Sequence, residues 1–192
     1  MRAQPRLGRT ATTLALYGGL AAVGIAWGAL RGDANVYRIA GRWTPLGLFV
    51  LSPAIGLGLG VAVVFGCRLA VHRFEWSRKL HREFRGLLGR LTEGEALVLA
   101  LSSGIGEEVF FRGALLPVAG LWLQAAVFAL LHVAPADAGR ARQFLPWTAM
   151  AFVMGLAFGA LALLLGDLGG PMVAHVTINY LNLRFIIRNE LL

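Results

Sequence analysis

Charge is scarce in this chain: Asp, Glu, Lys and Arg make up 15% of its 192 residues, against about a quarter in a typical soluble domain. In place of charge stand 57% apolar residues, arranged in blocks of about twenty, and a mean hydropathy of +0.68. That combination excludes a soluble globular domain, a disordered chain and a coiled coil. A lone cysteine, Cys67, excludes an intrachain disulfide framework and a cysteine-based zinc cluster; it reads as a small apolar residue at a helix end. Acidic residues are fewer than basic ones, 10 against 18. In a soluble domain that excess would suggest nucleic acid, but in a membrane chain basic residues set orientation, so no nucleic-acid partner is expected. The expected fold class is all-α, a polytopic membrane helix bundle.

Six apolar blocks are long enough to be read as spans: Thr10 to Leu30, Thr44 to Cys67, Gly94 to Leu116, Pro117 to Val133, Phe144 to Leu165 and Pro171 to Ile187. The first exceeds the roughly 7–15 apolar residues of a signal peptide and ends in Ala29-Leu30-Arg31 without a cleavage site, so it reads as a retained helix. Between the second and third blocks, Arg68 to Arg90 carries seven basic residues interleaved with Phe74, Trp76, Leu80, Phe84, Leu87 and Leu88 at mostly helical spacing. This predicts a basic amphipathic helix on the bilayer surface; a solvated basic loop is the alternative. Turns are marked at Pro117, Pro135 and Gly169-Gly170-Pro171. Gly56/Gly60 and Gly155/Gly159 have the GxxxG spacing of close helix packing, a frequent match in a chain with 25 glycines. With the N-terminus in the cytoplasm, 14 basic residues fall inside and Arg31, Arg38 and Arg42 outside, while Arg112 lies within a span. The expected location is the cell (inner) membrane, with residues 1–93 as an N-terminal two-helix segment and 94–192 as the core of one integral domain.

Topology leaves a few polar residues unexplained. Glu107, Glu108 and Arg112 lie in the third span, His132 in the fourth, and His175 and Asn179 in the sixth. Charged residues at a helix centre cost about 2.5–3.5 kcal/mol each on insertion scales, so compensation is required. Glu108 and Arg112 are four apart and can pair on one helix face, a buried ion pair that could simply fix packing. Glu107 points about 100° away and cannot share that partner, which leaves it for proton chemistry as a general base or acid. His132 alone reads more readily as a satisfied interhelical histidine than as a catalytic one. His175 and Asn179, spaced i and i+4, present an imidazole and a carboxamide on one face. Together these groups supply a base, an orienting imidazole and donors for an oxyanion. In ligand type Glu107, His132 and His175 also match a His₂Glu zinc site, although there is no HExxH helix. Ser102 and Ser103 lie near Glu107 without a Ser-His-Asp set and read as packing hydroxyls.

The motifs now resemble those of a known family. Glu107-Glu108-Val109-Phe110-Phe111-Arg112 matches EExxxR, Phe128 to His132 matches FxxxH and His175 to Asn179 matches HxxxN, in order on three apolar blocks. This is similar to the CPBP family (CAAX proteases and bacteriocin-processing proteins, also called Abi), intramembrane endopeptidases related to the type II CAAX prenyl protease. The resemblance covers about residues 94–187. It implies that Glu107 with His132 activates water, that His175 and Asn179 bind the oxyanion or help hold a metal such as zinc, that Glu108 and Arg112 shape the site, and that Phe128 packs behind His132. The implied substrate is a membrane-anchored or lipidated protein, cleaved within the bilayer. A non-catalytic membrane protein, either a proton-coupled transporter or an immunity or scaffold protein using the same residues, is the alternative. Depth poses a problem for either reading. Glu107 lies about 20 Å into its span, His132 near the cytoplasmic end of the next, and His175 at the outer start of the sixth, so they meet only if helices are tilted, broken or shorter than drawn.

Overall fold

The computed structural model describes residues 6–33, 35–39, 46–132 and 145–188. Among the described residues, seven α-helices run in the order α1 (Arg6–Arg31), α2 (Leu46–Arg73), α3 (Glu75–Leu88), α4 (Glu93–Glu108), α5 (Leu116–Leu131), α6 (Leu145–Leu165) and α7 (Gly169–Arg188), with a π-helical segment, Val109–Leu115, joining α4 to α5. Among the described residues there is no strand; the loop before α2 meets the α6–α7 turn in one isolated bridge, Arg38 with Asp167. The Pro135 turn and the Arg140/Arg142 loop lie outside the described residues.

Helices α1, α2 and α6, and the continuous run Glu93–Leu131, are long and apolar enough to cross a bilayer. The chain is a multi-pass membrane protein with an all-α fold. The 39-residue run does not cross as one rod. At Gly120 the backbone leaves helical geometry, with φ 73° and ψ 174°, a region open essentially to glycine alone. There the chain folds back: Phe111 meets Phe128 at 5.0 Å, and Arg112 sits 4.5 Å from the same ring. The break expected at Pro117 therefore falls three residues later. Residues 121–131 reach only about 17 Å, short of a hydrocarbon core of roughly 30 Å, so the fourth apolar block is a half-length arm.

That short arm resolves the depth problem. Glu107 stands thirteen positions before Gly120 and His132 twelve after, which levels them at a comparable distance from the turn. From the opposite end, Glu107 is about 21 Å along α4 and His175 about 20 Å from the end of α7. The start of α7 is itself sunk in the protein, with Asp167 and Leu168 fully buried.

Packing follows the small residues. A Cβ on Gly56 would collide with the Gly170 carbonyl, and one on Gly60 would stand 2.8 Å from Thr177, so α2 runs parallel to α7 in close contact. Gly155 faces Ala125 at 2.9 Å in the same sense, locking α6 antiparallel to α5. Both GxxxG pairs thus lie at helix interfaces. Helix α4 begins with a capping box in which Thr92 and Glu95 exchange hydrogen bonds. The amphipathic helix is shorter than expected. Arg68 to Arg73 continue α2, and a break at Phe74 starts α3. Its inner side is packed: His81 meets Phe185 of α7 at 5.1 Å, and Phe84 meets Trp147 of α6 at 4.9 Å.

Candidate active site

The last turn of α4 delivers two carboxylates in different directions, as consecutive helical positions must. Glu108 is fully buried. Its Oε1 accepts from Arg112 Nη1 at 2.9 Å and lies 2.7 Å from His175 Nδ1. Arg112 is also fully buried, reaches the Gly155 carbonyl at 3.4 Å, and sits among the rings of Phe111, Phe128 and Phe158 at 5.8, 4.5 and 5.3 Å. The π-helical turn carries this arginine. Such wide turns inside α-helices recur at functional sites, and here it holds Arg112 between α4 and α6.

Glu107 turns the other way. Its Oε2 lies 3.7 Å from His132 Nε2 and 3.8 Å from His175 Nε2, and among the described residues no hydrogen bond reaches it. His132 closes the short arm as the C-terminal cap of α5, with its Nδ1 2.7 Å from the Phe128 carbonyl. A carbonyl and an ionised carboxylate can only accept, so His132 and His175 each carry a proton on Nδ1, and in the neutral form of each ring Nε2 is the acceptor. Three acceptors from three helices consequently face one another. Phe128 packs against His132 at 4.3 Å between ring centres, and Phe158 against His175 at 5.2 Å.

Asn179 lies one turn further along α7 and gives its amide to Ser103 Oγ at 3.0 Å, while Ser103 donates to the Leu99 carbonyl at 2.8 Å. Glu107, His132, His175 and Asn179 line one cavity of about 290 Å³, which extends past Trp147 and Phe84 toward the basic end of the bundle. All seven motif residues are therefore assembled around one point: Glu107, Phe128, His132, His175 and Asn179 on the cavity, with Glu108 and Arg112 behind them.

Among the described residues no cluster of three His, Cys, Asp or Glu side chains is arranged to hold a metal ion. The donor types match a His₂Glu centre, but the three groups do not form a ligand cage as placed.

Sequence reasoning overlooked three polar groups. Ser103, read only as packing, positions Asn179. Gln124, fully buried, donates to the Gly155 carbonyl at 2.8 Å; an uncharged amide inside an apolar block was the available signal. Tyr17 of α1 also lines the cavity, and nothing in its surrounding residues distinguishes it from a packing aromatic.

No curated protein and no solved structure matches the chain. Residues 92–181 match the family model described as type II CAAX prenyl endopeptidase Rce1-like. The match covers just under half of the chain, starts at the Thr92 cap of α4 and ends two residues past Asn179, so it contains every motif residue and excludes α1, α2 and α3. Over residues 92–181, then, the chain is similar to the CAAX protease family.

Proposed function

We propose that this protein is an intramembrane endopeptidase that hydrolyses a peptide bond of a membrane-anchored or lipidated protein, with water activated by Glu107. The convergence of three proton acceptors on one gap carries the reading. A water bound there donates its hydrogens to Glu107 Oε2 and to an imidazole Nε2, which orients its oxygen lone pair toward a substrate carbonyl in the cavity. As the oxygen attacks, Glu107 takes the proton, and later delivers it to the leaving amine. His132 and His175 hold the water rather than donate, because their Nδ1 protons are already committed. Glu108 acts through His175 by fixing its tautomer. The amide hydrogen of Asn179 that Ser103 does not use is a donor for the oxyanion. The mostly apolar cavity wall, with Phe84, Leu88, Trp147 and Met150 toward the basic end, suits a lipid-bearing or transmembrane substrate.

The test is cleavage of a fluorogenic, membrane-tethered peptide by purified protein in nanodiscs. Glu107→Gln should lower turnover by at least about 10²-fold without changing thermal stability. A Glu107→Gln protein with normal turnover would sink the assignment, and ion flux without cleavage would favour a transporter. No step above passes through a metal, so dialysis against a chelator should leave cleavage intact; loss of activity restored by zinc would reassign Glu107, His132 and His175 as ligands.

A further inference from the structure

The tetrahedral intermediate of this reaction puts a negative charge into a low-dielectric cavity, where preorganised donors are needed. The motif residues are short of them. His132 and His175 have committed their Nδ1 hydrogens and present acceptors at Nε2. Arg112 is turned to Glu108 and the Gly155 carbonyl. Asn179 gives one of its two amide hydrogens to Ser103. That leaves a single donor from the motifs.

Tyr17 lies on α1 and lines the same cavity as Glu107. Its position is fixed by Gly106, the residue before Glu107. A Cβ on Gly106 would stand 3.0 Å from the Tyr17 Cβ and nearer still to its carbonyl oxygen. The absence of a side chain there lets α1 lie directly against the turn that carries the general base. Tyr17 and Glu107 face the same cavity, and among the described residues no hydrogen bond holds the Tyr17 hydroxyl. The family match begins at residue 92, so it assigns α1 no part in the chemistry.

We infer that Tyr17 is a catalytic residue whose phenolic O–H donates a hydrogen bond to the oxyanion, with the second Asn179 amide hydrogen as its companion. The inference rests on the hydrolytic reading above. No bond to Tyr17 breaks: the phenol keeps its proton, the water proton passes through Glu107 to the leaving amine, and the oxyanion collapses to a carboxylic acid. The active site is thereby completed by a helix outside the matched segment.

Full-length protein in nanodiscs, assayed with the tethered peptide, tests this. Tyr17→Phe should lower kcat about 10²-fold with KM within twofold, and should weaken binding of a phosphinate peptide, a tetrahedral mimic, by a similar factor. Melting temperature should stay at the wild-type value, because only one oxygen is removed. Leu16→Ala, on the exposed side of α1, should stay within twofold throughout, which separates lost chemistry from a loosened helix. Tyr17→Phe turnover within twofold of wild type, or a loss carried by KM alone, would overturn Tyr17 while leaving the hydrolytic reading in place. No cleavage by wild type would overturn both.

Discussion

Glu108 Oε1 is shared by two donors, Arg112 Nη1 and His175 Nδ1, all three groups being buried. Removing one partner of such a set leaves an uncompensated charge in an apolar interior, which costs about 3–5 kcal/mol. Glu108→Ala should therefore lower the melting temperature sharply and reduce expression, whereas Glu107→Gln, whose carboxylate pairs with no cation, should remain close to wild type in stability. Thermal denaturation of both variants in one detergent checks the contrast; equal destabilisation would contradict the division of labour. That division was partly legible. The i,i+4 spacing announced the Glu108–Arg112 pair, and the 100° offset set Glu107 apart. That His175 would take the second position on Glu108 was not legible, because 67 residues separate them and nothing local encodes the meeting of α4 with α7.

At the scale of elements, Gly120 decides where the motif on α5 arrives. With φ at 73°, Gly120→Ala carries about 1–3 kcal/mol of backbone strain and should lower both stability and cleavage by shifting His132. A Gly120→Ala protein as stable and as active as wild type would mean that the fold-back tolerates another geometry. Sequence reading placed the break at Pro117, since proline is the stronger local signal, and drew a full span after it; only the shortness of the returning arm brings His132 to the depth of Glu107. Helix α3 gives a second prediction. Burial pushes the His81 imidazole below its ordinary 6.5, and Arg68, Arg85 and Arg82 push it further. Unfolded or undocked α3 binds the proton that the packed helix excludes, so docking is full above about pH 6.5 and weakens as pH falls below it. Amide protection factors across Glu75–Leu88, taken relative to the intrinsic exchange rate at each pH, should fall between about pH 7.5 and 5.5, and His81→Phe should abolish that change. Unchanged protection across the range would show that His81 does not govern docking.

For the whole molecule, the helix directions can be followed through the contacts. Glu93 at the start of α4 pairs with Arg188 at the end of α7, and Arg9 of α1 reaches the Arg90 carbonyl. Both described termini therefore lie at the basic end, and the Gly120 turn lies at the other. At that turn Arg31 binds Asp33 and donates to the Gly113 and Ala114 carbonyls. By the positive-inside rule, the fourteen-to-three distribution of basic residues predicts a cytoplasmic basic end. Topology reporters fused at residues 1 and 192 should both register as cytoplasmic, and one at a Gly120 insertion as external. The opposite pattern would invert the face from which a substrate reaches Glu107.

The sequence by itself determined the membrane class, the helical fold, the basic end and the three polar motifs, because each follows from local properties: hydropathy summed over a turn, periodicity, and the price of a charge in hydrocarbon. The tertiary structure alone decided which motif groups face one another and how deep they sit. A short arm, a π-helical turn and a glycine that lets α1 approach Glu107 act through contacts between segments far apart in the chain. Residue spacing within one helix carries no record of such contacts.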